Sequence, residues 1–189
     1  GYTVSIDNEL YKESYFTFSG DATVKGTDAG SYDMKLKPED FKNTSENFTN
    51  VEFVIVDGTL EISKRSVTLT SATDDKVYDG EALTNNEVTV GGDGFAEGEG
   101  ATYAVTGTIT EVGETANTFS YTLNEGTKAA NYDIKTTEGT LKVTALTDKV
   151  TVTITENIGS EKYDGKEKTV SGYTVSIDNE LYKESYFTF

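Results

Sequence analysis

GYTVSIDNELYKESYFTF runs from Gly1 to Phe18 and stands again, letter for letter, from Gly172 to Phe189. Eighteen identical residues in succession do not arise by chance, and a chain folded as one unit has no use for the same text twice. A tandem array read through a window slightly longer than its period prints the same text at both ends. The offset of 171 residues is therefore read as the repeat length. Repetition of this kind decides architecture before any local pattern does.

A fainter period lies inside the first. Tyr78-Asp79-Gly80 recurs as Tyr163-Asp164-Gly165, 85 residues on, and Gly58-Thr59-Leu60 recurs as Gly139-Thr140-Leu141, 81 residues on. Beyond each Gly-Thr-Leu comes an alternating strand, Ser66 to Thr70 in one case and Lys149 to Thr155 in the other. The period thus holds two diverged units, each close to the ~100 residues of a small β-sandwich. Residues 1–65 form a unit that lacks its opening strand, residues 66–147 form a complete unit, and residues 148–189 begin the next copy of the first unit.

The local pattern is β throughout. Thr3–Ile6, Val51–Val56, Val67–Thr70, Tyr103–Thr106, Phe119–Leu123 and Val150–Ile154 alternate or nearly so, and are rich in β-branched and aromatic residues. Turn pairs punctuate them: Ala29-Gly30, Asp57-Gly58, Asp79-Gly80, Gly91 to Gly94 and Glu125-Gly126. The single helical candidate, Lys37 to Lys42 with Pro38 early, has room for one turn. The expected fold is all-β: tandem Ig-like antiparallel β-sandwich domains. A buried set is expected at Tyr78, Tyr103, Phe119, Tyr121, Tyr132, Ile134, Leu141 and Val143.

Composition narrows the function. The chain carries 33 acidic against 16 basic residues, a net charge of −17, with no Cys or His. Phosphate recognition needs clustered Lys and Arg, so nucleic acid is not an expected partner. No apolar run is long enough to cross a bilayer, so no membrane insertion is expected in this segment. Without thiol or imidazole, the usual nucleophile, base and zinc ligands are missing. The carboxylates are dispersed almost evenly, which gives no paired acid and base. The reading is that the chain is not an enzyme, that it has no catalytic, metal or cofactor residues, and that its binding residues are unknown.

The order Tyr-Asp-Gly, Gly-rich middle, aromatic strand, Asn-aromatic, Gly-Thr-Leu-x-Val/Ile resembles the MBG and YDG families. The complete unit carries it in Tyr78-Asp79-Gly80, Phe119 to Leu123, Asn131 to Ile134 and Gly139 to Val143. The first unit carries it in Ala29-Gly30-Ser31-Tyr32, Asn47-Phe48 and Gly58 to Ile62. The resemblance implies Ig-like repeats of large bacterial surface proteins.

Several local features admit a sharper chemistry. Asn131 or Asn47 could receive a buried Lys76 or Lys149 amine in an isopeptide crosslink, which needs a neutral Lys and a protonated carboxyl. The alternative is an Asn that caps a loop. The acidic stretch Gly91 to Gly100 offers oxygens to calcium but lacks the EF-hand spacing, and reads as a solvated loop. Asn43-Thr44-Ser45 and Asn47-Phe48-Thr49 match the N-glycosylation pattern. Tyr11, Tyr15 and Phe16 could stack on sugar rings, although alternation places Tyr15 and Phe16 on opposite faces. Tyr78 and Tyr163 are expected to plug a core, with Asp-Gly turning behind them.

These readings converge on stalk or spacer repeats of a bacterial cell-surface adhesin or extracellular filament, anchored to the cell wall and projecting a distal binding region. The alternative is a multivalent binding module whose repeats engage host glycan or protein. Expected partners are neighbouring repeats of the same chain, or identical chains end to end. Residues 148–189 should complete the sandwich of a next copy, with 172–189 taking the place of 1–18.

Overall fold

In the computed structural model, residues 1–188 are described; Phe189, the last letter of the repeated text, lies outside them. In chain order the strands are β1 (Phe16–Phe18), β2 (Gly30–Asp33), β3 (Phe41–Asn43), β4 (Thr59–Ile62) and β5 (Arg65–Ser71). They continue with β6 (Asp74–Val77), β7 (Val88–Gly92), β8 (Ala101–Val105), β9 (Gly113–Asn117) and β10 (Phe119–Leu123). The last are β11 (Tyr132–Thr137), β12 (Gly139–Thr144), β13 (Val152–Glu156) and β14 (Tyr173–Ile177). Among the described residues the helical elements are 3-10 turns of three residues. The chain is all-β. The turn expected at Lys37 to Lys42 forms over Pro38–Asp40, where the Asp40 carboxylate accepts the Lys37 N–H at 2.8 Å.

The strands pair as β11-β5-β7, β6-β12-β9, β8-β10, β1-β3, β2-β4 and β13-β14. Two ladders correct the expectation of purely antiparallel sheets. β5 runs parallel to β11 over six residue pairs, from Arg65↔Tyr132 to Thr70↔Thr137, and β6 runs parallel to β12. A parallel ladder needs a long crossover between its strands, and the chain supplies one by bringing β11 and β12 back beside β5 and β6. Local alternation says nothing of that direction.

Contacts divide the chain into two compact units. One contains Gly1–Thr70, Thr89–Tyr103 and Tyr121–Thr137; the other contains Ser71–Val88, Ala104–Ser120 and Glu138–Phe189. In the first, the middle strand β5 buries Val67 and Leu69 on alternate positions, and β11 buries Tyr132. In the second, Leu83, Leu141 and Val143 form a core against which Tyr78 and Ile109 pack. Of the eight expected core residues, Tyr132, Leu141 and Val143 are buried, while Tyr78, Tyr103, Phe119 and Ile134 are half-buried. Tyr121 is exposed, against expectation. It lies mid-strand between the half-buried Phe119 and Leu123 of β10, where a strict two-residue period would have placed it inward.

The Gly-Thr-Leu motif has a packing cause in the second unit. A Cβ on Gly139 would stand 2.3 Å from the Ala72 carbonyl oxygen, so only glycine lets β12 start there. The Gly139 N–H donates to Ser71 Oγ at 2.9 Å, and that hydroxyl donates to the Asn117 carbonyl at 2.6 Å. Asn117 is fully buried, and its Nδ2 donates to the carbonyls of Ala72 and Asn85, each at 2.9 Å. These bonds satisfy backbone carbonyls that the ends of the short strands would otherwise leave bare.

Candidate functional site

The repeated eighteen residues set the site. Their turns are the same in both places. Asn8 Oδ1 accepts the Leu10 N–H at 2.9 Å, and Asn179 Oδ1 accepts the Leu181 N–H at 2.8 Å. The 3-10 turn Glu13–Tyr15 recurs as Glu184–Tyr186, and Tyr11 meets Tyr15 edge-on at 5.7 Å just as Tyr182 meets Tyr186 at 5.7 Å. The sequence dictates these turns through an Asx bond that Asn makes with its own backbone two residues on.

Their strand partners differ, and in a complementary way. Tyr173–Ile177 is β14, paired antiparallel with β13 upstream of it, from Val152↔Ile177 to Glu156↔Tyr173. The same text at Tyr2–Ile6 lies in no ladder. Conversely, Phe16–Phe18 pairs with β3 downstream, whereas Phe187 and Thr188 lie in no strand. Each copy makes the half of the pairings that its own side of the chain can supply. Val51–Val56 is likewise outside any ladder, although its burial alternates as in a strand. Thr3–Ile6 and Val51–Val56 are thus the two expected strands that remain unpaired among the described residues.

β5, β7 and β11 supply the frame for comparison. The β5–β7 pair is bounded by Asp93 N–H to the Ser66 carbonyl (2.8 Å) and Ala72 N–H to the Glu87 carbonyl (3.0 Å). The β13–β14 pair is bounded by Asp178 N–H to the Thr151 carbonyl (3.2 Å) and Asn157 N–H to the Gly172 carbonyl (3.1 Å). Each residue stands 85 positions beyond its counterpart. β13 is therefore a second β5, and β14 a second β7. By the 171-residue repeat, Tyr2–Ile6 is a third copy of β7. By the spacing to Gly-Thr-Leu, Val51–Val56 is the counterpart of β11. In the middle segment β5 lies between β7 and β11. Between Tyr2–Ile6 and Val51–Val56 there is instead an open cleft of about 1090 Å³, lined by Tyr2, Val4, Ile6, Phe53, Ile55 and their neighbours.

Aspartates mark the same three places. Asp93 accepts the Ser66 N–H at 2.8 Å, and Asp178 accepts the Thr151 N–H at 2.8 Å. That main-chain bond holds each carboxyl below the usual aspartate range. Asp7, the third counterpart, lines the cleft. Sequence reasoning took Asp93 only as part of the acidic stretch and passed over Asp7 and Asp178, although the common offset from Ser66 and Thr151 could have revealed the set.

The sharper chemistries meet structural uses. The Asn131 amide donates to Asp28 at 3.0 Å and accepts the Ala29 N–H at 2.8 Å, while Lys128 Nζ lies 2.7 Å from the same Asp28. Hydrogen bonds from Asn131 and Lys128 lower the Asp28 pKa, and Asp28 in turn raises that of Lys128. The pair is charged and exposed, the opposite of the neutral amine and protonated acid that isopeptide formation needs. Lys76 is held by Asp79 at 2.7 Å and by the Glu81 carbonyl at 2.6 Å. In the acidic stretch, Asp93 caps Ser66 and Glu99 accepts the Tyr132 hydroxyl at 2.5 Å; among the described residues no group of three or more acids is placed to hold a metal ion. Asn43 Nδ2 donates to the Ser45 and Phe48 carbonyls.

Both Tyr-Asp-Gly motifs form the same turn. Asp79 accepts the Glu81 N–H and Asp164 the Lys166 N–H, with Gly80 and Gly165 at φ +83° and +77°. Tyr78 packs on the Leu83 core as expected, but Tyr163 is 96% exposed. The expectation that Tyr163 plugs a core is corrected in this chain. Among the described residues, 157–172 lie in no strand, so nothing forms a core for Tyr163 to enter.

No protein-family profile, no curated protein and no solved structure matches this chain.

Proposed function

We propose that the chain is a stretch of tandem Ig-like β-sandwich repeats, of MBG and YDG type, serving as a stalk or spacer in an extracellular bacterial surface protein. The observation that supports this most is the return of the same eighteen residues with the same turns and the same tyrosine pair after 171 positions. Repeats whose units touch mainly their neighbours grow in length by copy number, with stability kept local. Such a rod holds a distal binding region away from the cell wall. A net charge of −17 keeps neighbouring copies from collapsing onto one another. Copies that share identical text are also prone to mispairing as they fold, which makes charge repulsion useful.

The test uses the full-length gene in its native cell. Antibody against residues 66–147 should label intact cells, and deletion of whole 171-residue periods should bring the distal region closer to the wall in electron micrographs. Ligand binding should survive those deletions. Labelling only after lysis, or binding lost in proportion to the periods removed, refutes the stalk reading.

A further inference from the structure

We propose that the cleft between Tyr2–Ile6 and Val51–Val56 is the seat of a β-strand donated by a second copy of this repeat, and that the donor is Val150–Glu156. The inference rests on the repeat reading above, though not on location at a cell surface. Three independent observations carry it.

The first is occupancy in the counterpart. β5 sits between β7 and β11, and their equivalents here flank a cleft rather than a strand. Carrying over the β5–β11 and β13–β14 registers fixes the docked geometry. Val152 would lie opposite Phe53 on its parallel side and Ile6 on its antiparallel side. Ile154 would lie between Ile55 and Val4. Asp7 would accept the Thr151 N–H as Asp178 does now. Main-chain ladders on both edges supply affinity, and the alternating side chains supply specificity.

The second is exposure of the donor. Leu69 of β5 is 0% exposed, whereas Ile154, its counterpart in β13, is 42% exposed. Among the described residues β13 has a ladder on one edge only, to β14. A strand built like a central one but left at an edge is a template for pairing with another chain.

The third is a glycine without a reason. Gly139 is forced by the Ala72 carbonyl, 2.3 Å from where a Cβ would sit. Gly58, in the same motif, has only Met34 Cε within 4 Å, at 3.7 Å. The counterpart of Ala72 is Asn157, which follows the donor strand. Docking the donor brings the Asn157 carbonyl against Gly58, and the glycine acquires its cause.

The contact is head-to-tail: the end of one copy enters the beginning of the next. It therefore propagates rather than closing a dimer. Residue 171 would join the next copy at Gly1 as it now joins Gly172. In a separate chain the donor would first leave β14, which is identical in sequence to the acceptor's Tyr2–Ile6.

Hydrogen exchange read by mass spectrometry tests this in two forms. A peptide of residues 148–171 is added in excess to the 189-residue chain, and the same residues are joined ahead of Gly1 in a lengthened chain. Exchange at 2–6 and 51–56 should slow by ~100-fold with the joined donor and measurably with the peptide. A donor carrying Val152→Asp and Ile154→Asp should give no slowing in either form. Gly58→Ala should leave the 189-residue chain unchanged and weaken the donor's protection by at least ~10-fold, because it clashes only when the donor is seated. Absence of slowing with the joined donor, equal slowing with the aspartate-bearing donor, or indifference to Gly58→Ala each overturns the proposal. Failure here leaves the surface-labelling test of the stalk intact, and failure of that labelling leaves this strand exchange intact.

Discussion

Gly139→Ala separates a glycine demanded by contact from one that is merely present. The new Cβ would stand 2.3 Å from the Ala72 carbonyl oxygen and 2.5 Å from the Ser71 carbonyl oxygen, both main-chain atoms that cannot swing aside. Relief requires the start of β12 to move outward, which lengthens the 2.9 Å bond from the Gly139 N–H to Ser71 Oγ and loosens the burial of Leu141 and Val143. Overpacking costs about 1–3 kcal/mol and a lost hydrogen bond about 1 kcal/mol, so the loss should be about 2–4 kcal/mol. With a urea slope of about 2 kcal/mol/M, the midpoint should fall by about 1–2 M. The chain has no Trp, so far-UV circular dichroism is the probe, with Gly58→Ala as the matched control. A fall of less than ~0.3 M for Gly139→Ala, or an equal fall for Gly58→Ala, refutes the reasoning.

Asn117→Ala should cost about 1–3 kcal/mol in the same titration, since it strips the half-buried Ala72 and Asn85 carbonyls of their donor. Tyr132→Phe should cost about 1–2 kcal/mol, because the hydroxyl that donates to Glu99 and accepts the Ala96 N–H at 3.0 Å is lost. The depressed carboxyls of Asp93 and Asp178 stabilise the fold above the ordinary aspartate range, and that contribution disappears as pH falls through their lowered folded values. Melting temperature should therefore drop as pH falls below about 4, and Asp93→Asn should flatten part of that drop. Lys128→Ala should leave the melting temperature nearly unchanged, because its 2.7 Å pair with Asp28 is exposed and screened by solvent.

The strands β5, β8, β10 and β13 were legible because β-branched and aromatic residues alternate there with turn residues at their ends. The turn at Pro38–Asp40 was legible from proline followed by two acids. Direction was not. That β11 returns beside β5 depends on the whole intervening path, which no window of a few residues encodes. Tyr121 misled because a two-residue period assigns a face but not whether anything covers that face. The cleft was half visible: the duplicated text could be read, whereas the cleft itself and the open space around Gly58 depend on the folded chain. Thr3–Ile6 and Val51–Val56 have strand chemistry without strand pairing, because a ladder needs two partners and the sequence of one edge cannot reveal the loss of the other.

The parallel run of β5 against β11 also has a mechanical consequence. Tension applied at Arg65 and at Thr137 pulls on opposite ends of a six-pair ladder, so the two strands must slide lengthwise past each other. Sliding strains all the cross-strand bonds together, whereas peeling an antiparallel hairpin from its open end breaks them singly. The hairpin β13–β14 is of the second kind when pulled at Val152 and Ile177, which are directly paired at one end. One chain thus contains a clasp that resists a pull and a zip that yields to it, built from the same opening strand in two settings.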